Sequence, residues 1–475
     1  MLLVAENRFC VPLLLAGLLV LSVLLHFAWF TYPMTVVLDE VHYGRFAMAA
    51  MRHEFFFDIH PPLGKLLYWT TGVMAGLDPS FTFPGNQVPL PDASYLALRA
   101  LPRLVGTFFP LLMFGVAREL GMSVRAALMV ALLVMFENAT ELISQFVLID
   151  IFLLAFGFTA VWAYLRYKNT ARIPWLFLAG IAAGCAISTK WTGLTFCVLM
   201  GCLELIHFIR NRSWLGLCAL LVLGILPLIV YVATFAMQFA LVTQYSAAAQ
   251  TFSPGFRASL SGSPEQISNI ASNGVKVAPT SFVERFVELN QSMFESAHQI
   301  QTEHPYSSKW YSWPFMTRGL DFWADAQSEP EAGVTSGTIN RFAHIMLLGN
   351  PIVWWVSTYA ILLLLINLPP QLLKWLSRGE PPEPNTLFLC AAYVLNLLPF
   401  VGIARVMFLY HYLSALMFAV LALCWQLDRA QRYRWLMPAL LAAAITAFIF
   451  FAPFTYGLHL SKSGLDAHFW LDSWR

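Results

Sequence analysis

Runs of apolar residues, each bounded by charge or by proline and glycine, recur along this chain from end to end. They constrain its fold more than any other feature. The runs are 11–31, 100–117, 124–137, 146–165, 174–188, 191–209, 214–236, 352–373, 386–404, 409–427 and 435–454. A bilayer-spanning helix needs roughly 20 predominantly apolar residues, because lipid offers the backbone no hydrogen-bond partner. About eleven spans are therefore expected, with 124–137 and 174–209 the shortest cases. Only 11% of the residues are charged, against about 25% in a soluble domain. The expected class is an all-α polytopic membrane protein. A net charge of +2 carries no signature of a nucleic-acid partner.

The charges between the runs orient them. With the N-terminus in the cytoplasm, the inner loops hold Arg118 and Arg125, then Arg166, Lys168 and Arg172, then Arg210 and Arg212. Lys374 and Arg378, and finally Arg429, Arg432 and Arg434, complete the pattern. This is the positive-inside distribution, with Lys190 and Arg405 as outer exceptions. An odd number of spans puts the tail, 455–475, outside. Arg8 precedes the first run and no small-residue cleavage site follows it, so the run reads as an uncleaved span. All seven cysteines lie in or beside apolar runs without a C-x-x-C pair, which favours buried thiols over disulfides or zinc. Three regions follow: 1–236, with a first external loop at 32–98; an external segment at 237–350; and a C-terminal membrane region at 351–475. Short amphipathic pieces at 41–57 and 64–77 are expected at the membrane interface, and 280–300 is expected to be helical.

Ionisable chemistry collects at one lip of this assembly. Asp39-Glu40 follows the first span, and Asp58, His60, Lys65 and the Pro61-Pro62 break lie just beyond. A carboxylate pair at a helix exit faces water or a cavity, since hydrocarbon penalises its charge. An ion-coupled transporter would instead place such residues at the bilayer midplane on broken helices. The competing structural reading makes Asp39 a helix N-cap. No His, Asp, Glu or Cys cluster has metal-ligand spacing, so no metal is expected.

LDEVHYG (38–44) with FDIHPPLGK (57–65) resembles the first external loop of the protein O-mannosyltransferases, within the GT-C glycosyltransferases that use lipid-phosphate sugars. ISTKWTGL (187–194), SSKWYSWPFMTRGLDFW (307–323), LLGNPIVWW (347–355) and RVMFLYHYLSAL (405–416) are similar to the same family, in the same order. FTYGL (454–458) and HFWLDSWR (468–475) extend the resemblance to the tail. The segment between residues 237 and 350 is too short for the MIR domain of eukaryotic members, which points to a bacterial form in the inner membrane with a periplasmic site. A eukaryotic protein would place that site in the endoplasmic reticulum. A second departure is FENATELISQFVLID (136–150), where the family's arginine position falls on Phe146 or Val147.

The resemblance implies a GT-C fold with about eleven spans and extracytoplasmic amphipathic helices. It implies transfer of mannose, or a related hexose, from polyprenyl (dolichyl) phosphate mannose to Ser or Thr of secreted or membrane proteins. No further cofactor is implied, and dimeric eukaryotic relatives raise a dimer. Asp39 is then the base, with Glu40 orienting donor or acceptor. Arg99, Lys190 and Arg405 are candidates for the donor phosphate, since a lipid-phosphate leaving group needs cations. Snorkelling to head groups is the plainer role for the arginines, and an intra-bundle carboxylate is the other partner open to Lys190. His60 and Lys65 either touch the substrate or hold the loop. Trp310, Trp313 and His411 are candidate substrate contacts, against an aromatic belt or an interhelical hydrogen bond. A GT-C enzyme glycosylating lipid is the sibling alternative.

Overall fold

A computed structural model describes residues 10–475 except 213, 270–273, 275, 300–303, 331–337, 404 and 434. Arg8 and Arg434 lie outside these residues. A helix forms in every one of the eleven apolar runs. The first half contains α1 (Cys10–His26), α2 (Glu40–Met51), α3 (Leu63–Ala75), α4 (Leu96–Glu119), α5 (Val124–Met135) and the one-turn α6 (Asn138–Ile143). It continues with α7 (Asp150–Thr170), α8 (Ile173–Thr189), α9 (Leu194–Asn211) and α10 (Trp214–Leu241). Two short turns, α11 (Pro254–Ala258) and α12 (Pro264–Ser268), precede α13 (Phe282–Gln299). The second half has α14 (Pro351–Arg378), α15 (Pro384–Leu397), α16 (Leu413–Arg429), α17 (Leu436–Tyr456) and α18 (Lys462–His468).

Among the described residues, six helical stretches are long and apolar enough to cross a membrane, including those of α4, α10 and α14. Shorter apolar helices lie at α1, α5, α8 and α15. Burial separates two kinds of apolar helix. In α16 every residue from Leu413 to Trp425 is buried, so it is the centre of the bundle, packed by α14, α15 and α5. In α10 and α17 only 22% of the most apolar window is buried. Their remaining apolar surface faces outward, as a lipid-facing helix requires.

One element corrects the all-helical expectation. Strands β1 (Leu320–Pro330) and β2 (Thr338–Leu347) form an antiparallel hairpin with a bulge at Asp321/Trp323. A two-residue strand, β3 (Leu460–Ser461), extends it from the tail. The hairpin sits on the first loop through Asn86 Nδ2 to the Phe322 carbonyl, 3.2 Å, and Gln87 Nε2 to that of Ala324, 2.6 Å. Trp323 Nε1 donates to Thr35 Oγ1 at 2.9 Å. The tail, the hairpin and the first loop therefore share one end of the bundle.

Candidate active site

Asp39 sits within the first loop, where the chain enters α2. The preceding residue, Leu38, has φ +26°, a conformation a branched side chain adopts only when its surroundings impose it. Those surroundings are visible: Leu38 N–H donates to Asn86 Oδ1 at 3.1 Å, and Val36 exchanges backbone hydrogen bonds with Val88 and Gln87. Asp39 stands at the N-cap position of α2 but caps nothing with its side chain. Its carboxylate accepts no hydrogen bond from any described residue. It lines a cavity of about 440 Å³ with His42, Tyr43, Asp58, His60, His304, Arg405 and His411. Burial pushes the Asp39 carboxyl above the ordinary carboxylate range. The charges of Asp150 and Asp58 push the same way, and His42 and Lys190 oppose them.

Glu40 has the opposite surroundings. It is 1% exposed and lies outside the cavity lining. Arg99 meets it in a fork, Nε to Oε1 at 2.8 Å and Nη2 to Oε2 at 2.6 Å. The amides of Val37 and Val147 supply two more donors, at 2.9 and 3.1 Å. Arg99 spends further donors on the carbonyls of Pro33 and Thr35, both at 2.6 Å. It lies over the Phe146 ring at 5.1 Å. Glu40 as an orienting group and Arg99 as a phosphate ligand are thus corrected: each is committed to the other and to the backbone of the first loop. The divergent 136–150 segment reaches this node through the Phe146 ring and the Val147 amide.

Lys190 ends α8, and its Nζ is 2.7 Å from Asp150 Oδ1 at the start of α7 and 4.9 Å from the Tyr410 ring centroid. The turn that carries it closes against α8 because residue 193 is glycine. A Cβ there would lie 2.4 Å from the carbonyl carbon of Ala186. Asp150, Lys190, Tyr410 and His411 enclose a small void of about 20 Å³. That is room for about one water, and Tyr410 and His411 also line the main cavity. Of the two partners open to Lys190, the carboxylate is the one present.

His60 lines the cavity. Burial lowers its pKa well below the ordinary histidine value, and Lys190, Lys65 and Arg405 add to the shift, so the ring is neutral at pH 7. Lys65 does not line the cavity. It is 3% exposed, pairs with Asp58 at 2.6 Å and donates to the His60 carbonyl, so it holds the loop. Trp313 is fully buried, donates Nε1 to Ser308 Oγ at 2.9 Å and stacks on His411 at 5.7 Å and 10°. No face is left for a sugar, which corrects its reading as a substrate contact. Trp310 is half-buried and lines two neighbouring cavities rather than the one at Asp39. His411 faces the cavity while its Nδ1 is 2.9 Å from the Phe408 carbonyl oxygen. Arg405 faces the cavity with no carboxylate partner among the described residues. Sequence reasoning gave no site role to Asp150 or His304. A carboxylate opening an apolar helix was a usable signal for Asp150; nothing local marks His304.

Two family models match the chain. "Dolichyl-phosphate-mannose-protein mannosyltransferase" covers residues 16–243, and the "C-terminal four TMM region of protein-O-mannosyltransferase" covers 282–474. Between them they take in both the Asp39 loop and the Arg405 loop. The chain belongs to the protein O-mannosyltransferase family. Among its relatives is dolichyl-phosphate-mannose–protein mannosyltransferase 3 of Saccharomyces cerevisiae, 29% identical over 65% of this chain and 44% of that protein. Protein O-mannosyl-transferase 2 of Danio rerio is 29% identical over 70% of this chain and 47% of its own length. This O-mannosyltransferase chain thus spans less than half of these curated relatives. In fold it is similar to a chain of the S. cerevisiae protein O-mannosyltransferase Pmt1–Pmt2 complex bound to the sugar donor. That match has a TM-score of 0.86 at 20% identity, over 98% of this chain and 92% of that one. ArnT of Cupriavidus metallidurans bound to undecaprenyl phosphate shares the fold more distantly, with a TM-score of 0.52 at 16% identity, over 94% and 65%. The fold is that of the GT-C glycosyltransferases.

Proposed function

We propose that this protein transfers a mannosyl, or related hexosyl, group from a polyprenyl-phosphate sugar to Ser or Thr hydroxyls of exported proteins, with Asp39 as the base. The single observation that carries this reading is the Asp39 carboxylate: half-buried, without a protein hydrogen bond, and facing a cavity of about 440 Å³. Ligand sites usually fall within about 300–1,000 Å³. The acceptor oxygen attacks the anomeric carbon from the face opposite the phosphate. The C–O bond to phosphate breaks, its electron pair stays on the leaving phosphate, and the hydroxyl proton passes to Asp39. One displacement inverts the anomeric configuration. A carboxylate whose pKa is raised by burial is a stronger base than one in water. Arg405, without a carboxylate partner among the described residues, suits the departing phosphate. Neutral His60 can donate to or accept from a sugar hydroxyl. Lys190 can help only by loosening its hold on Asp150.

The family's donor is read here as polyprenyl (dolichyl) phosphate mannose. The site opens on the extracytoplasmic side of a bacterial inner membrane, and a dimer fits the family. The test is transfer of radiolabelled mannose from polyprenyl-phosphate mannose to a Ser/Thr-rich peptide, in membranes carrying wild type or Asp39→Asn at equal expression. Label on peptide with wild type and none with the variant is expected. Label on lipid alone moves the function to the lipid-glycosylating sibling; equal peptide labelling by the variant removes Asp39 as base.

A further inference from the structure

A second cavity adjoins the one at Asp39. It is wider, about 910 Å³, and Arg405 and Val406 form the wall common to both. Its floor is the segment Ser307–Ser312 with Thr317 and Arg318, and Ser473 of the tail closes the far rim. Ser308 N–H donates to the Met407 carbonyl at 2.9 Å, which ties this floor to the Arg405 loop. Every charged side chain lining it is cationic: Lys309, Arg318 and Arg405. None of the three has a carboxylate partner among the described residues; Arg318 reaches only the Pro305 carbonyl, at 2.6 Å. Lys309 is exposed. The Asp39 cavity, in contrast, carries two carboxylates, Asp39 and Asp58.

We propose that this second cavity is an acceptor subsite that selects Ser/Thr segments carrying Asp or Glu beside the modified hydroxyl. The inference rests on the proposed transferase reading and deepens it by naming an acceptor chemistry. Because Arg405 and Val406 line both cavities, a peptide that brings its hydroxyl to Asp39 past Arg405 lays its flanking residues in the second one. An extended chain advances about 3.3–3.6 Å per residue, so a cavity of this size takes about three flanking residues. Lys309 and Arg318, without a carboxylate partner among the described residues, create a field that attracts carboxylates and repels lysine, most strongly at low salt. Trp310 and Tyr311 on the same floor offer flat faces to the peptide. The lining's serines supply hydroxyls for an extended backbone. The lining mixes three cationic side chains and several hydroxyls with aromatic and aliphatic ones, which suits a solvated peptide better than a lipid tail. The apolar groove between α14 and α15 beside it, about 410 Å³, has no charged lining.

The test uses the full chain in nanodiscs of zwitterionic lipid and three labelled peptides that share one Ser/Thr centre. Their flanks on both sides are Glu, Gln or Lys. Equilibrium binding is read by fluorescence anisotropy at low and high salt, and transfer is read as kcat/KM. Wild type is expected to bind the Glu peptide about tenfold tighter than the Lys peptide, with the preference shrinking in high salt. Lys309→Glu with Arg318→Glu is expected to invert that ratio. Equal binding of all three peptides, or a preference that survives the double reversal, overturns the subsite. A response of the variant to anionic lipid in place of peptide charge also overturns it and assigns the cations to head groups. Charge-selective binding without transfer of any label keeps the subsite and sinks the transferase reading. Transfer without charge selection does the reverse.

Discussion

Asp39 and Glu40 are neighbours in the chain, and the fold treats them in opposite ways. Glu40 is buried and receives four hydrogen bonds, two from Arg99 and two from backbone amides. Asp39 receives none and looks into the cavity. The difference separates structural carboxylates from reactive ones. A satisfied, buried carboxylate holds the chain around it; an unsatisfied one at a cavity wall can take and release a proton. The Glu40–Arg99 node pins residues 33–37 and the start of α2, and so aims the residue between them.

Asp39→Asn tests the reactive half and has the largest expected effect. A general base contributes about 10²–10⁴-fold, so transfer is expected to fall by that factor with the fold intact. The stability effect has a definite sign. A raised folded-state pKa favours the protonated form, so the contribution of Asp39 to stability is present below its unfolded pKa and lost as pH rises through its folded one. At neutral pH the Asn variant is therefore expected to unfold at the same temperature as wild type or higher. A clearly lower melting temperature in detergent would mean that the carboxylate has a structural partner after all.

Arg99→Ala tests the other half. It leaves Glu40 buried and unpaired, a change that costs about 3–5 kcal/mol. Lower yield and earlier thermal unfolding are expected. The double variant Glu40→Gln with Arg99→Met should lose less stability than the sum of the two single changes, because neither charge is left alone. Simple additivity would show that the two side chains act separately. Trp313→Ala, compared with Trp310→Ala, repeats the contrast in aromatic form. The first removes a fully buried ring at about 3–5 kcal/mol, whereas the second removes a half-buried one and should lower the melting temperature clearly less.

The smallest expected effect sharpens the comparison by pH. With Asp39 as the proposed base, kcat/KM is expected to rise with pH along an acid limb set by its raised pKa. Asp150 helps to raise that pKa, so Asp150→Asn should shift the limb to lower pH. Measuring the profile in wild type and variant decides this; a shift to higher pH would assign the perturbation to some other group.

Much of the architecture could be read from residue order. Each of the eleven apolar runs became a helix, and the pieces at 41–57 and 64–77 became α2 and α3. The hairpin at 320–347 was missed. Its side-chain alternation is interrupted by the bulge at Asp321/Trp323, and its stability comes from contacts with residues 35, 86 and 87. The candidate site was half legible. Asp39, His60, Arg405 and His411 do share one cavity, whereas Arg99, Lys65 and Trp313, equally suggestive in type and position, are spent on packing and pairing.

By itself the sequence determined that the chain must be a bundle of membrane helices with Asp39, Glu40, Asp58, His60 and Lys65 gathered at one lip. Lipid leaves an apolar run no other way to satisfy its backbone, and it rejects isolated charge. Which of two adjacent acids would face the cavity was left to tertiary structure. The decision came from Arg99, 59 residues further on, and from the Val147 amide, 107 residues further on. Hydrogen-bond satisfaction inside a bundle depends on what folding brings within about 3 Å, and sequence proximity does not report that distance.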